Sequence, residues 1–275
     1  MNILVTLNAN YLLPLRVMLK SLFVNNPTET FTIYLLHSSL TAEEIGAARQ
    51  FAERHGSRLE EVYMEERYFK DAPVLLHYTQ EMYYRLLAFR FLPRELDRIL
   101  YLDPDILAIN PVRPFYESNL DGYLYAAAYH DMISVYEINK LRLTPYKIEA
   151  YYNSGVLLMN LEEQRRNIRE EDIFEFVEKN RAKLIMPDQD ILNALYSKYI
   201  KSVDEKLYNY DVRHYGYYKL MSNGLFDMDH VMKHTVFLHF CGKKKPWKKG
   251  YSGKFYSLYK HYEVWAARDF ERALI

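Results

Sequence analysis

Three short runs, NILVTL (2–7), FTIYLLHS (31–38) and RILYLD (98–103), are apolar at nearly every position, and the segments between them carry apolar residues at helical spacing. A run with no polar alternation must be covered on both faces, as a sheet between two helix layers does. LLPLRVMLKSLFVNN (12–26) places Leu15, Met18, Leu19 and Leu22 on one helical face. TAEEIGAARQFAERHG (41–56) opens on Thr41 as N-cap, has Glu44 at the capping-box position and stops at Gly56. RLEEVYM (58–64) predicts a third strand and TQEMYYRLLAFRFLP (79–93) a helix ending at Pro93. This order predicts a parallel-sheet α/β fold, with ligands bound beyond the carboxyl ends of the strands.

The second half is less regular. GYLYAAAYHD (122–131) reads as a strand leading to a polar tip, and YYNSGVLLMNLEEQRRN (151–167) as loop, strand and helix. MPDQDILNALYSKY (186–199) starts a helix on a polar cluster, and TVFLHFCGKKKPWKKGY (235–251) ends a strand at His239 before a basic loop. No Pro/Gly/Ser linker divides the chain. The expected organisation is a domain over 1–250 and a helical extension over 251–275. That tail carries Phe255, Leu258, Tyr259, Tyr262, Trp265 and Ala266 on one stripe. With Lys254, Lys260 and Arg268 the stripe suits a membrane surface, but Glu263, Asp269 and Glu271 favour docking on the chain's own domain.

Composition narrows the function. The 275 residues are 49% apolar, enough for a substantial core, and 36 basic residues balance 36 acidic ones. No global field favours nucleic acid. The single cysteine, Cys241, excludes an internal disulfide and a multi-cysteine zinc site. Met1 leads into NILVTL without a basic n-region, and no apolar run reaches the roughly 18–20 residues that cross a bilayer. The expectation is a cytoplasmic protein, with at most peripheral contact at the inner face of the membrane. The 27 tyrosines could stack on sugars or simply pack half-buried strands.

Asp103-Pro104-Asp105 ends the RILYLD run. Two carboxylates flanking a proline can converge on a hard divalent cation, or they can form a solvated turn. His239 is a ligand type that suits Mn²⁺ better than Mg²⁺, or a core histidine. Gly242 permits close backbone approach, and Lys243, Lys244 and Lys245 offer charge to a phosphate or to water. Arg85 could pair with Asp103 or with a diphosphate oxygen. Asp188, Gln189 and Asp190 open a helix, where they could cap it or bind a polyol. Asn153 and Ser154 stand at a strand entrance with the same two options, and Asn8 and Asn10 follow the first strand.

In combination, YLDPDILAIN, YYNSGVLLMNL, MPDQDILNAL and HFCGKKKPW resemble the family 8 glycosyltransferases, retaining enzymes that include lipopolysaccharide galactosyltransferases and glycogenin. The four segments occur in family order across residues 1 to about 250. The resemblance implies a glycosyltransferase A-type fold, a Rossmann-like mixed sheet flanked by helices. It implies a UDP-sugar donor, a saccharide acceptor, and Mn²⁺ (or Mg²⁺) held by Asp103, Asp105 and His239. Thr6, Asn8, Asn10, Tyr11, Arg85, Pro104, Asn153, Ser154, Gly242 and Lys245 fall at donor-binding positions. Gly242 and Lys245 lie at the diphosphate, and Asn10 and Tyr11 at the uridine. Asp131, Asp188 and Gln189 match the sugar and acceptor pocket, where catalysis is expected. Asn8 departs from the aspartate that many members carry near the uracil, although an amide still bonds a base edge.

The expected reaction is transfer of a hexose from UDP-galactose or UDP-glucose to a glycan or lipid-linked hydroxyl. Gln189, at the position beneath the sugar, is a poor nucleophile. Front-face attack is therefore favoured, while a covalent route through Asp188 or Asp190 stays open. Activity should fall at acid pH as the metal ligands take up protons. Two rival classes use the same residues: a metal-dependent nucleotidyltransferase or phosphodiesterase, and a non-catalytic carbohydrate-binding protein.

Overall fold

The apolar runs become strands whose alternate side chains enter two different cores. In β1 (Asn2–Thr6), Ile3 and Val5 face one layer and Leu4 the other. β2 (Thr32–His37), β3 (Arg58–Tyr63) and β4 (Arg98–Leu102) extend the layer. The remaining strands are β5 (Ile106–Ala108), β6 (Tyr125–Ala128), β7 (Val156–Asn160), β8 (Ile200–Val203), β9 (Tyr210–Asp211) and β10 (Phe237–His239). The computed structural model describes residues 1–65, 81–129 and 133–271.

Seven strands form the main sheet in the order β3-β2-β1-β4-β7-β6-β8, and β5-β10-β9 form a second, small sheet. β3, β2, β1 and β4 are parallel, as the alternating pattern predicts. Beyond β4 the sheet is mixed: β7 runs antiparallel to both β4 and β6. That reversal departs from a wholly parallel sheet, and it positions the site. An antiparallel β7 brings its entrance, rather than its exit, to the carboxyl end of β4. The Asp103 N–H accordingly donates to the Gly155 carbonyl at 2.8 Å.

Helices α1 (Leu12–Val24) and α2 (Ala42–Glu53) cover one face. On α2 the capping box forms in both directions: Glu44 N–H donates to Thr41 Oγ1 at 3.2 Å and Thr41 N–H to Glu44 Oε2 at 2.8 Å. Gly56 follows with φ +67°, a left-handed conformation that glycine adopts without strain. On the other face lie α3 (Glu81–Leu87), α6 (Leu161–Asn167), α7 (Glu170–Asn180) and α8 (Pro187–Tyr196). α4 (Arg113–Tyr116) and α5 (Ile133–Arg142) flank β6 in sequence. The helical pattern expected over 79–93 resolves into α3 and a tighter 3₁₀ turn, Ala88–Arg90, with positions 79–80 outside the described residues. α9 (Glu205–Tyr208), α10 (Tyr215–Met221) and α11 (Met228–His234) surround the small sheet. No helix among the described residues is long and apolar enough to cross a membrane.

The last helix, α12 (Tyr256–Glu271), packs on α1. Phe255, Tyr259, Tyr262 and Ala266 are buried. Asn25 Nδ2 donates to the Tyr262 hydroxyl at 2.8 Å, and Lys20 Nζ to Asp269 Oδ2 at 2.5 Å. Partial burial opposes the Asp269 charge, but Lys20 and then His55 outweigh it and hold the carboxyl below its usual range. A depressed carboxyl stabilises the fold above its unfolded value, and that contribution is lost as pH falls through the folded value. The α1–α12 contact should therefore hold at pH 5–7 and weaken below about pH 4. Trp265 fluorescence reports it, because Lys20 Nζ lies 4.7 Å from that ring. An acid transition unchanged in Asp269→Asn would refute the assignment.

Candidate active site

Asp103 and Asp105 sit in the turn between β4 and β5, with Pro104 buried between them. β10 pairs with β5 so that His239 stands opposite Ile106, immediately beside Asp105. The three side chains, distant in sequence, bring one ligand atom each to within 4.8 Å of one another. His239 Nε2 is 3.3 Å from Asp105 Oδ1 and 3.9 Å from Asp103 Oδ2. Nδ1 of the same ring lies 2.8 Å from Asn209 Oδ1. Asparagine oxygen accepts, so Nδ1 carries a proton and Nε2 is the ring nitrogen turned to the carboxylates. Two hard oxygen donors and one imidazole fit a divalent ion of the Mn²⁺ or Mg²⁺ type.

Gly155 supplies the space for this convergence. A Cβ there would stand 2.3 Å from His239 Cε1 and 2.8 Å from Asp103 Oδ2, so any side chain would displace two of the three donors.

The cluster is held by opposite charge. Burial works against ionised Asp105, but His239 and Lys245 outweigh it and hold the carboxyl well below the usual range. Burial would likewise suppress charge on His239, yet Cys241 and Asp105 raise it well above its ordinary value. Lys245 Nζ donates to Asp105 Oδ2 and, at 3.0 Å, to the Phe240 carbonyl. Lys243, Lys244, Lys248 and Lys249 are exposed, so only Lys245 of the basic loop turns inward to the aspartates.

Arg85 links the aspartate turn to α8. Its Nη1 lies 3.0 Å from Asp103 Oδ1 and 3.2 Å from Asp188 Oδ2, and donates to the Ser154 carbonyl at 3.1 Å. Its guanidinium carbon is 4.6 Å from the Tyr101 ring centroid. The Tyr101 hydroxyl donates to Asp103 Oδ1 and lies 3.3 Å from Thr6 Oγ1. Thr6 thus reaches the site through Tyr101. Ser154 Oγ donates to Asp188 Oδ2 at 2.8 Å, and Ser154 N–H to Gln189 Oε1 at 3.4 Å. Asn153 Oδ1 accepts from Gly155 N–H at 2.8 Å and shapes the turn.

Asp190 has a different place. It is wholly buried, accepting from Arg142 Nη1 at 2.8 Å, the Tyr151 hydroxyl at 2.6 Å and the Ile185 N–H at 2.8 Å. This corrects the open covalent route through Asp190, because every approach to its oxygens is taken by a donor. Its role is to fix the start of α8. Asn193 does the same one turn later, clamping the Tyr152 N–H and carbonyl at 2.7 and 2.8 Å.

Asn8 caps the short 3₁₀ turn Ala9–Tyr11 by accepting from Asn10 N–H at 3.1 Å, and Asn10 is exposed. Tyr11 meets Trp247 edge-on at 5.9 Å, and Lys245 Nζ lies 5.8 Å from that indole. The loop after β1 and the basic loop therefore adjoin. Gly242 has φ +88° and packs against Arg213, which would lie 2.7 Å from an added Cβ. Asp131 and His130 lie outside the described residues.

Tyr101, Asn209, Gly155 and Trp247 belong to this network without having been singled out from the sequence. Tyr101 reads as an ordinary strand tyrosine, and Asn209 has no motif around it. Gly155 did carry a signal, since it completes YNSG.

A mixed sheet with an acidic pair at the end of a central strand, closed by a histidine from a second sheet, defines the glycosyltransferase A-type class. The structure aligns with that of the galactosyltransferase LgtC in complex with donor and acceptor sugar analogs, at TM-score 0.81 and 22% identity, covering 96% of this chain and 95% of that one. Residues 2–250 match the model of glycosyl transferase family 8, and the chain belongs to that family. It is similar to a lipopolysaccharide 1,2-glucosyltransferase of Escherichia coli, 28% identical over 252 residues, covering 88% of this chain and 71% of the relative. It is also similar to a lipopolysaccharide 1,3-galactosyltransferase of Salmonella typhimurium, 22% identical over 250 residues, covering 90% and 72%.

Proposed function

We propose that this glycosyltransferase moves a hexose, galactose or glucose, from its UDP-sugar to a hydroxyl of a glycan or lipid-linked saccharide, with retention at the anomeric carbon. Residues 1–250 act as the catalytic domain and 251–275 as its docked extension. The observation that carries the reading is the convergence of Asp103, Asp105 and His239 within 4.8 Å beside Lys245. That combination suits a nucleoside diphosphate as leaving group, because it offsets the charge that develops on departure.

Asp103, Asp105 and His239 would hold Mn²⁺, which would supply positive charge to offset the charge developing on the leaving diphosphate. Lys245 is already held at Asp105 and adds a second, preorganised charge. Asn8, Asn10 and Tyr11 bind the uridine, next to Trp247. Arg85 holds Asp188 and Ser154 in register with Asp103, and Asp188 and Asp131 orient sugar hydroxyls. Arg85 and Ser154, both at Oδ2, draw on the negative charge of the Asp188 carboxylate and lower its nucleophilicity. Gln189 is weaker still, an amide turned to the Ser154 backbone. We therefore favour front-face attack. The bond from anomeric carbon to diphosphate breaks, the acceptor oxygen bonds to that carbon on the same face, and a leaving phosphate oxygen takes the acceptor's proton.

The test is product analysis with UDP-galactose and UDP-glucose, with and without Mn²⁺. Metal-dependent release of UDP and transfer of one hexose is expected. Release of UMP or pyrophosphate would indicate a nucleotidyltransferase or phosphodiesterase, and binding without turnover a carbohydrate-binding protein. A wild-type rate that survives EDTA would overturn the metal's role.

A further inference from the structure

Two histidines that the catalytic cluster does not use face one another on α11. The run DHVMKH (229–234) sets His230 and His234 four positions apart, one turn along the same helical face. Their ring centroids are 4.5 Å apart and the ring planes meet at 46°. His234 is exposed and His230 half-buried. Among the described residues, neither imidazole makes a hydrogen bond or an ion pair. His37, His55 and His239, by contrast, are engaged by Glu61, Asp269 and Asn209.

The pair is also held in place. Phe226 meets the His230 ring edge-on at 4.6 Å and limits its rotation. Asp227 caps the helix by accepting from the His230 backbone N–H at 2.9 Å. Asn110 Nδ2 donates to the Met232 and Thr235 carbonyls at 3.0 and 2.6 Å, tying the last turn of α11 to the chain that follows β5. Imidazoles one helical turn apart can both reach a single ion, as they do in helical zinc sites. The last turn also carries Lys233, and the helix dipole favours positive charge there.

We propose that His230 and His234 form a second metal site, which takes a divalent ion of the Zn²⁺, Ni²⁺ or Cu²⁺ kind. Nitrogen donors without a carboxylate select against Mn²⁺ and Mg²⁺, which prefer oxygen. No third histidine, cysteine or carboxylate converges on the pair among the described residues, so solvent completes the coordination shell. The ion bridges the last turn of a seven-residue helix, a length that does not sustain itself without tertiary support. Because α11 leads into β10, the site clips the segment that delivers His239, while remaining separate from the cluster His239 joins.

The test is calorimetric titration of the full, tag-free chain with Ni²⁺, comparing the wild type with His230→Gln, His234→Gln and the double variant. Asp103, Asp105 and His239 would also take Ni²⁺, so the series is repeated in an Asp105→Ala background. In both backgrounds each single substitution should weaken one class of Ni²⁺ binding by about tenfold or more, because the second arm of a chelate acts at high effective concentration. The double variant should be little weaker than either single one. In the Asp105→Ala background Ni²⁺ should raise Tm, and His234→Gln, at an exposed position, should remove most of that rise. Mn²⁺ affinity, read by electron paramagnetic resonance, should not change in His234→Gln. Wild-type Ni²⁺ affinity in either single variant, losses that add in the double variant, an undiminished Tm rise in His234→Gln, or a fall in its Mn²⁺ affinity would each overturn the proposal.

Discussion

Replacing Asp105 with alanine should lower hexose transfer by about 10³-fold, corresponding to about 4 kcal/mol of transition-state stabilisation. The size follows from the residue's double duty. Asp105 is 5% exposed, lies 3.3 Å from His239 Nε2 and holds Lys245. Its loss removes one of the three proposed metal ligands and frees the lysine proposed to supply the second charge. Turnover should fall together with Mn²⁺ affinity, read from the electron paramagnetic resonance signal of free Mn²⁺. Wild-type turnover in this variant would sink the proposed mechanism. Turnover lost with Mn²⁺ affinity intact would assign the effect to Lys245 alone.

The second large effect concerns stability. Asp190→Ala should destabilise the fold by about 3–5 kcal/mol, the range for removing one partner of a buried ion pair. The variant would take the carboxylate from Arg142, which keeps only Asn139 and the Lys183 carbonyl as strong acceptors, and leave the Tyr151 hydroxyl and the Ile185 and Met186 N–H groups without their acceptor. Urea denaturation followed by far-ultraviolet circular dichroism measures it. A shift below about 1 kcal/mol would mean that water replaces the carboxylate, which its complete burial argues against. Because Asp190 anchors the turn that carries Asp188 and Gln189, residual folded protein should also transfer hexose poorly.

Asp188, Gln189 and Asp190 show how far sequence and structure each carry the inference. PDQD marks a helix start in either reading, and the chain gives no way to tell a capping acid from a ligand-binding one. Successive residues of a helix point in directions about 100° apart. The fold therefore sends Asp190 into the core and Asp188 toward Arg85. Cys241 is comparable: composition excludes an internal disulfide, but only the turn of the chain sets its thiol against His239.

Local chemistry settled the strands and helices of the first half, because apolar runs, the Thr41–Glu44 capping box and Gly56 act over a few residues. It also nominated Asp103, Asp105 and His239, since hard-cation ligands are few in kind and four motifs stood in family order. The resemblance implied a mixed sheet, as found, but which strand reverses was not legible, because strand direction is a choice between distant segments that share the same apolar pattern. That reversal brings Gly155 against Asp103, and β10 pairing with β5 brings His239 to Asp105. Proximity between residues more than a hundred positions apart is a property of packing, and packing alone decided that these groups form one site.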